Sequence, residues 1–446
     1  MRDVLVMGFF LPSLPVCLFR PFYGVMLWTI VAFVNPQHLS YGFASTFPLA
    51  EAVAIPTLAG FVFFHRGWRR LASREFFLLS ILWVWFVITS LVSTHDPLFA
   101  EHAEDTWYRL AFVSKILLMT TVAVCVIDSF KRLRIYLLVL AGSFGFFVAK
   151  ALPFVVLTGG QYRLFGPPAS MIADNNDFGL ALNMTVPLFF YLGRTEMNPR
   201  LRTLCNALFL AAIPAVFFTY SRGALVGLLT VAFLLFLQMR QRLALIPVFA
   251  LAVGLALMLA PQAWRDRMST IGGDPELDSS AMARINAWTF SWRLAKESPL
   301  TGGGFDTFSP EMFLRYAPNV TDVHGPHSIY FGVLAEHGFT GLILYLLLVG
   351  SALLSTFTMA RSARRYGDDR ACAYASLFRL SLIGFLTSGL FLGRAYFDYY
   401  FAMVACIIVL KYLCKHAWAE GHAIDETAAV WQDEPVEELA FAGRGA

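Results

Sequence analysis

The long apolar runs of this chain, such as Leu342–Ala360, constrain it more than any other feature. They match the about 17–25 residues that a helix needs to cross the ~30 Å hydrocarbon core of a bilayer. Lipid offers the backbone no hydrogen-bond partner, so a spanning segment must be a helix or part of a closed barrel. The runs do not alternate with period two, which excludes the barrel. Hydrophobic residues make up 58% of the 446 positions and charged residues 14%. A soluble domain has about 45–50% and about 25%, so too few charges are present to cover such a core. The expected fold is an all-α polytopic integral membrane protein.

Charge placement gives the expected orientation. After an apolar segment over 1–34, candidate spans fall at 49–64, 75–93, 110–127, 133–157, 177–193, 203–220, 223–239, 243–260, 342–360, 376–394 and 397–414. One set of connections is rich in Arg and Lys: Arg66, Arg69, Arg70 and Arg74; Lys131, Arg132 and Arg134; Arg194, Arg200 and Arg202; Arg240 and Arg242; Arg361, Arg364, Arg365 and Arg370. The alternate set is poor in them, so the first set is expected in the cytoplasm. The first segment, carrying Pro12, Pro15 and Pro21, reads as a membrane segment that kinks or as a re-entrant hairpin rather than a cleaved leader. A single crossing there gives about twelve transmembrane helices and a cytoplasmic N-terminus. The organisation is then N-terminal transmembrane helices over 1–260, a long periplasmic loop with short helices over 261–326, C-terminal helices over 327–414, and a cytoplasmic acidic tail over 415–446 containing Asp433, Glu434, Glu437 and Glu438. The net charge of +4 includes no basic tract suited to nucleic acid. The six cysteines lie in or beside spans without metal-ligand spacing.

Ionisable groups in a membrane protein are costly and tend to be functional, which directs attention to the basic-poor face. His327 opens the stretch after the long loop, where an imidazole can accept a proton near neutral pH; an interfacial hydrogen-bonded histidine is the plainer reading. His324 and His337 are its rivals. Asp322 is the only nearby carboxylate on the loop side, too few ligands for a closed zinc site. Tyr220-Ser221-Arg222-Gly223 places a guanidinium at the membrane boundary, suited to phosphate or diphosphate. Within the long loop, Arg265 and Arg267 lead to a helical segment where Arg284, Trp288 and Trp292 share one face. That face either binds sugar and phosphate or lies on the membrane as an amphipathic helix. The glycines of Pro299–Gly304 allow a tight turn but lack the Lys-Ser/Thr of a nucleotide loop. Arg163, Asp174, Asn175 and Asn176 sit in an outer loop, with helix capping as the default role of the acidic and amide residues. Lys150 lies within the preceding span, either snorkelling or functional.

These motifs together resemble the O-antigen ligase superfamily, which includes O-antigen polymerases and O-linked oligosaccharyltransferases. The resemblance is closest to the ligases, including O-glycosylation ligases associated with exosortase systems. It rests on His327-Ser328, nine residues and Gly338-Phe339-Thr340-Gly341; on Ser221-Arg222-Gly223; and on Arg284…Trp288 leading to Pro299–Gly304. It implies a bacterial inner-membrane enzyme that moves a glycan from undecaprenyl diphosphate to a sugar hydroxyl of lipid A–core at the periplasmic face. The implied transfer is inverting, without cofactor or metal. It makes His327 the catalytic base. Arg222 and Arg284 become diphosphate-binding groups, with Arg265, Arg163 and Lys150 as further candidates. Substrate contacts are then sought among Asp174, Asn175, Asn176, Trp288, Tyr220, His324 and Asp322. A polymerase or protein O-oligosaccharyltransferase would use the same donor. A transporter would need repeat symmetry and midplane charge, and neither is visible in the sequence.

Overall fold

The computed structural model describes residues 2–64, 68–239, 260–269 and 279–420, together with Pro247, Gly254 and Met258. The expected span 243–260, Arg66, Arg240 and Arg242 of the connections expected in the cytoplasm, loop residues 270–278 and the acidic tail from 421 fall outside the described residues, apart from the positions named. The chain is all-helical among the described residues. Eight helices there are long and apolar enough to cross a membrane, and three shorter apolar helices accompany them. The protein is thus a multi-pass membrane protein.

Of the two forms that the sequence allows for the first 34 residues, a kinked crossing and a hairpin, the structure has the hairpin. Helix α1 (Arg2–Phe19) ends at Arg20, which has extended φ of −136°, and Pro21 starts helix α2 (Pro21–Val34). Proline at the first helical position loses nothing, because its missing N–H has no intrahelical acceptor there. α2 returns alongside α1. The start of α1 meets the segment that follows α2: Arg2 Nη1 donates to Leu39 O at 3.2 Å, and Asp3 Oδ1 accepts from the backbone N–H of Gly42 and Ala44 at 3.0 and 3.1 Å. The other end of the hairpin packs on the end of helix α3 (Leu49–Phe64), with the Phe19 and Phe64 rings 5.8 Å apart. Residues 1–34 therefore form a hairpin whose two ends share one end of the bundle.

Helices α4 (Arg74–His95), α5 (Ala103–Val126) and α6 (Phe130–Leu157) lead to α7 (Asn175–Thr195), α8 (Pro199–Phe217) and α9 (Arg222–Leu237). α7 is buried along nearly its whole length. It has no lipid to meet, so it can carry polar side chains, provided that each is bonded. Asn183 donates to Ala224 O at 2.7 Å and to Ser388 Oγ at 2.9 Å, and Ser381 Oγ donates to Met184 O at 2.7 Å. Gly227 permits the approach, since a Cβ there would lie 2.0 Å from Ser388 Oγ.

The long loop contains α10 (Gln262–Ser269), α11 (Ser279–Glu297) and α12 (Pro310–Tyr316). α11 is docked on the protein rather than laid free as an amphipathic surface helix. Ala287, Phe290 and Leu294 form a small core with Phe99, Met312, Phe313 and Tyr316. Helix α13 (Ile329–Arg365) contains the expected span 342–360 and is kinked at Gly338, where φ is +67°. The kink frees backbone groups that the 299–304 turn satisfies. Gly303 N–H donates to Ala335 O, Gly304 N–H to Glu336 O and Phe339 N–H to Pro299 O, at 2.8–2.9 Å. α14 (Asp369–Ser388) and α15 (Asp398–Ala419) close the bundle. At the end opposite the long loop, the fully buried Glu75 is paired with Lys411 Nζ at 3.0 Å and accepts from Ser351 and Ser355 Oγ at 2.9 and 2.7 Å.

Candidate active site

Among the described residues, several separate connections assemble the loop end of the bundle. Asn35 Nδ2 donates to Pro168 O at 2.8 Å, which joins the hairpin side to the 158–174 segment. That segment is fixed to the α8–α9 turn by Leu164 N–H to Phe218 O at 2.9 Å and by Tyr220 Oη to Gly160 O at 2.6 Å. Tyr220 adopts φ of +59°, which reverses the chain so that Ser221 can cap α9 by accepting from Ala224 N–H at 3.2 Å. Arg222 then stands in the first turn of α9, where the positive end of the helix adds to its charge. Trp264 of α10 stacks on Phe217 with ring centroids 4.3 Å apart, which brings Arg265 to the same turn.

His327 lies between Pro326 and the N-cap Ser328, at the opening of the helical stretch where the sequence puts it, and has φ of +43°. A left-handed conformation costs a non-glycine residue about 1–2 kcal/mol. The surroundings impose it. Trp288 Nε1 donates to Pro326 O at 2.8 Å, and Ile329 N–H donates to Gly389 O at 2.9 Å. Gly393 packs so closely that a Cβ there would lie 3.4 Å from His327 Cα. Trp288 also stacks on Phe331 at 5.1 Å, so its ring supports the wall of the site. Asn286 holds the incoming segment by donating to Asn319 O and Asp322 O at 2.8 and 3.1 Å. His324 Nδ1 sits 2.7 Å from Asp322 Oδ1.

Burial lowers the His327 pKa from its ordinary 6.5, and the Arg284 charge pushes it the same way; Asp174 opposes, and His324 and Arg394 lower it further. The ring is thus neutral near pH 7 and faces charged groups from the long loop, the α7 N-terminus and the segment after α14. Arg284 is bonded to Ser280 Oγ at 3.0 Å. Asp174 caps α7 by accepting from Asn176 N–H at 2.8 Å, and buried Asn175 donates to Thr219 O at 2.7 Å. These two residues hold the α7 entry against the Arg222 turn. Arg163 is exposed, and its charge acts on Tyr220. Lys150 opens instead into a cavity whose lining shares no residue with the surroundings of His327.

His337, the third histidine of the motif, is inaccessible. It is fully buried, with Nδ1 2.7 Å from Thr89 Oγ1 and its ring 4.4 and 4.5 Å from those of Phe86 and Phe305.

The segment 389–397 escaped sequence reading, because Gly389-Leu390-Phe391-Leu392-Gly393 looks like the continuation of a span. It is the hub of this end. Gly223 packs on Phe391 and Leu392, Gly389 and Gly393 pack on the His327 segment, and Arg394 pairs with the largely buried Asp177 at 2.6 Å. Tyr396 Oη donates to Glu336 Oε2 at 2.5 Å, anchoring the hub to α13. An arginine within an otherwise apolar run was the available signal for Arg394.

The fold and site define a multi-pass helical membrane protein with Arg222, Arg284, Arg394 and His327 at the loop end of the bundle. Residues 207–346 match the family model described as O-Antigen ligase, a match that supports membership of the O-antigen ligase superfamily. The match includes Arg222, Arg265, Arg284 and His327. Residues 1–196 match a family of unknown function, DUF5935. No curated protein matches the chain significantly.

Proposed function

We propose that the protein is an O-antigen ligase that transfers a glycan from undecaprenyl diphosphate to a sugar hydroxyl of lipid A–core. In this reading it lies in the bacterial inner membrane, with residues 261–326 in the periplasm as a lid and one wall of the site. The observation that carries the reading is the position of His327, neutral and beside Arg284 and Arg394 at the loop end of the bundle, which is otherwise poor in basic residues. His327 takes the proton of the acceptor hydroxyl while that oxygen attacks the anomeric carbon. The bond to the diphosphate oxygen breaks with inversion, and the lipid diphosphate leaves as an anion. Its growing charge calls for fixed cations aimed at the leaving oxygen. Arg222 and Arg284 take that role, with Arg265 and Arg163 at the rim. Asp174, Asn175, Asn176 and Tyr220 shape the opening, with His324 and Asp322 on its loop side. The transmembrane parts 1–260 and 327–414 hold the two halves together, and residues 415–446 face the cytoplasm.

The test is reconstitution with the lipid-linked donor and purified lipid A–core in the presence of a chelator. Product on lipid A–core is expected. Longer donor chains would identify a polymerase, transfer to Ser or Thr of an added protein would identify an oligosaccharyltransferase, and loss of activity on chelation would overturn the metal-independent route. Replacing His327 with Ala should lower the rate by about 10²–10⁴, the usual contribution of a general base. Near-normal turnover by that variant would remove His327 from the role.

A further inference from the structure

Two basic side chains at the loop end stand apart from the His327 site and converge on one cavity. Lys150, on α6, and Arg2, at the start of α1, line an opening of about 430 Å³ together with Leu5, Val6, Leu39 and Phe146. That size is within the about 300–1,000 Å³ of ligand clefts. The hairpin fold of residues 1–34 is what creates it, since it brings Arg2 back to the end where Lys150 lies.

The charges are available. Asp3, the nearest carboxylate in sequence to Arg2, is engaged by the N–H groups of Gly42 and Ala44. Lys150 is exposed and has no carboxylate partner among the described residues; its ammonium lies 5.3 and 5.8 Å from the Phe146 and Phe147 ring centroids. Arg2 uses Nη1 on Leu39 O and leans 5.5 Å from the Tyr41 ring. The other walls are apolar. Leu5 is 66% exposed on a helix whose outward surface also shows Val4 and Phe9, so the cavity borders the lipid-facing side of α1. A pair of cations above an apolar, lipid-facing wall matches an amphiphile with a phosphate head and an acyl or prenyl chain. Snorkelling accounts for one lysine. It does not account for two cations from distant parts of the chain meeting over one cavity.

We propose that the Lys150–Arg2 cavity is a binding site for the phosphate of an anionic lipid, separate from the site around His327. The phosphate accepts from Lys150 Nζ and the Arg2 guanidinium, and the chain runs along Leu5, Val6 and Phe146. The phosphate belongs either to a bilayer phospholipid or to a polyprenyl phosphate.

Native mass spectrometry of the full-length protein in detergent tests this, with phosphatidylglycerol and phosphatidylcholine of identical acyl chains as probes. Phosphatidylglycerol should be retained preferentially, and retention should fall about fivefold for each charge removed in Lys150→Gln and Arg2→Gln. Lys150→Arg should keep it. Lys150→Gln, a change at an exposed helix position, carries the test by itself if Arg2→Gln does not fold. Competition by undecaprenyl phosphate that displaces one phosphatidylglycerol, and fails to in Lys150→Gln, assigns the site to the polyprenyl lipid; absence of competition assigns it to phospholipid. Equal retention of the two probes, unchanged retention in the charge variants, or displacement by inorganic phosphate alone would overturn the proposal. The readout is binding, so it stands or falls independently of glycan transfer.

Discussion

A histidine works as a base only while its ring is neutral, and the surroundings of His327 favour that state on balance. Burial comes first, and Arg284, His324 and Arg394 add to it; Asp174 alone pulls the other way. The acid limb of a kcat/KM–pH profile should therefore lie below pH 6.5, the ordinary value. Arg284→Gln should move that limb upward, because it removes the second-largest cause of the depression. A limb that stays in place in the variant would deny the coupling between the two side chains. The linkage to stability has the same sign. With the folded pKa below the unfolded one, the contribution is complete above pH 6.5 and is lost as the pH falls through the folded value. The residue types and order of this site were legible in the sequence, since Arg222, Arg284 and His327 are polar exceptions on a sparse face. The roles of Trp288 and Asn175 were not. Each spends its hydrogen bond on a backbone carbonyl distant in sequence, and nothing local to the residue signals that partner.

At the scale of elements, the glycines of the histidine motif have a mechanical role. Gly338 stands at φ +67°, and a Cβ there would lie 2.5 Å from Leu300 O and 2.7 Å from Pro299 O, in the turn that satisfies the kinked helix. Gly338→Ala thus carries the left-handed penalty of about 1–2 kcal/mol and also pushes the turn away. Gly350, twelve residues further along α13, has nothing within 4 Å of its would-be Cβ. Gly350→Ala should be neutral or stabilising by about 0.4–1 kcal/mol, through the unfolded chain. Thermal unfolding in detergent should separate the two variants, and proteolysis should cut the 299–304 turn faster in Gly338→Ala only. Equal behaviour would mean that the kink does not seat the loop. The sequence showed a Gly-rich turn and a Gly-spaced helix as separate motifs. Their pairing depends on backbone hydrogen bonds across more than thirty residues, which periodicity does not encode.

For the whole molecule, hydropathy gave the helical class and most spans, because a lipid-facing helix must be apolar throughout. It was weakest where apolar sequence does something other than cross once. The 389–397 hub is one such place, and the N-terminal hairpin is the other. Between residues 4 and 34 the only charged residue is Arg20, beside Pro21, so one kinked crossing and two antiparallel helices have nearly the same sequence. The contacts distinguish them. Arg2 and Asp3 bond to residues 39–44, and this places the N-terminus beside the connection that precedes α3. A cysteine added at the N-terminus and one at Tyr41, which is 90% exposed, should therefore react with a membrane-impermeant maleimide from the same side of sealed vesicles. The basic connection at residues 68–74, at the other end of α3, should be reached only from the opposite side. A single crossing would put the N-terminal cysteine with the basic connection instead. That outcome would also separate Arg2 from Lys150 and remove the second lipid site, so the topology experiment bears on the hairpin and the cavity together.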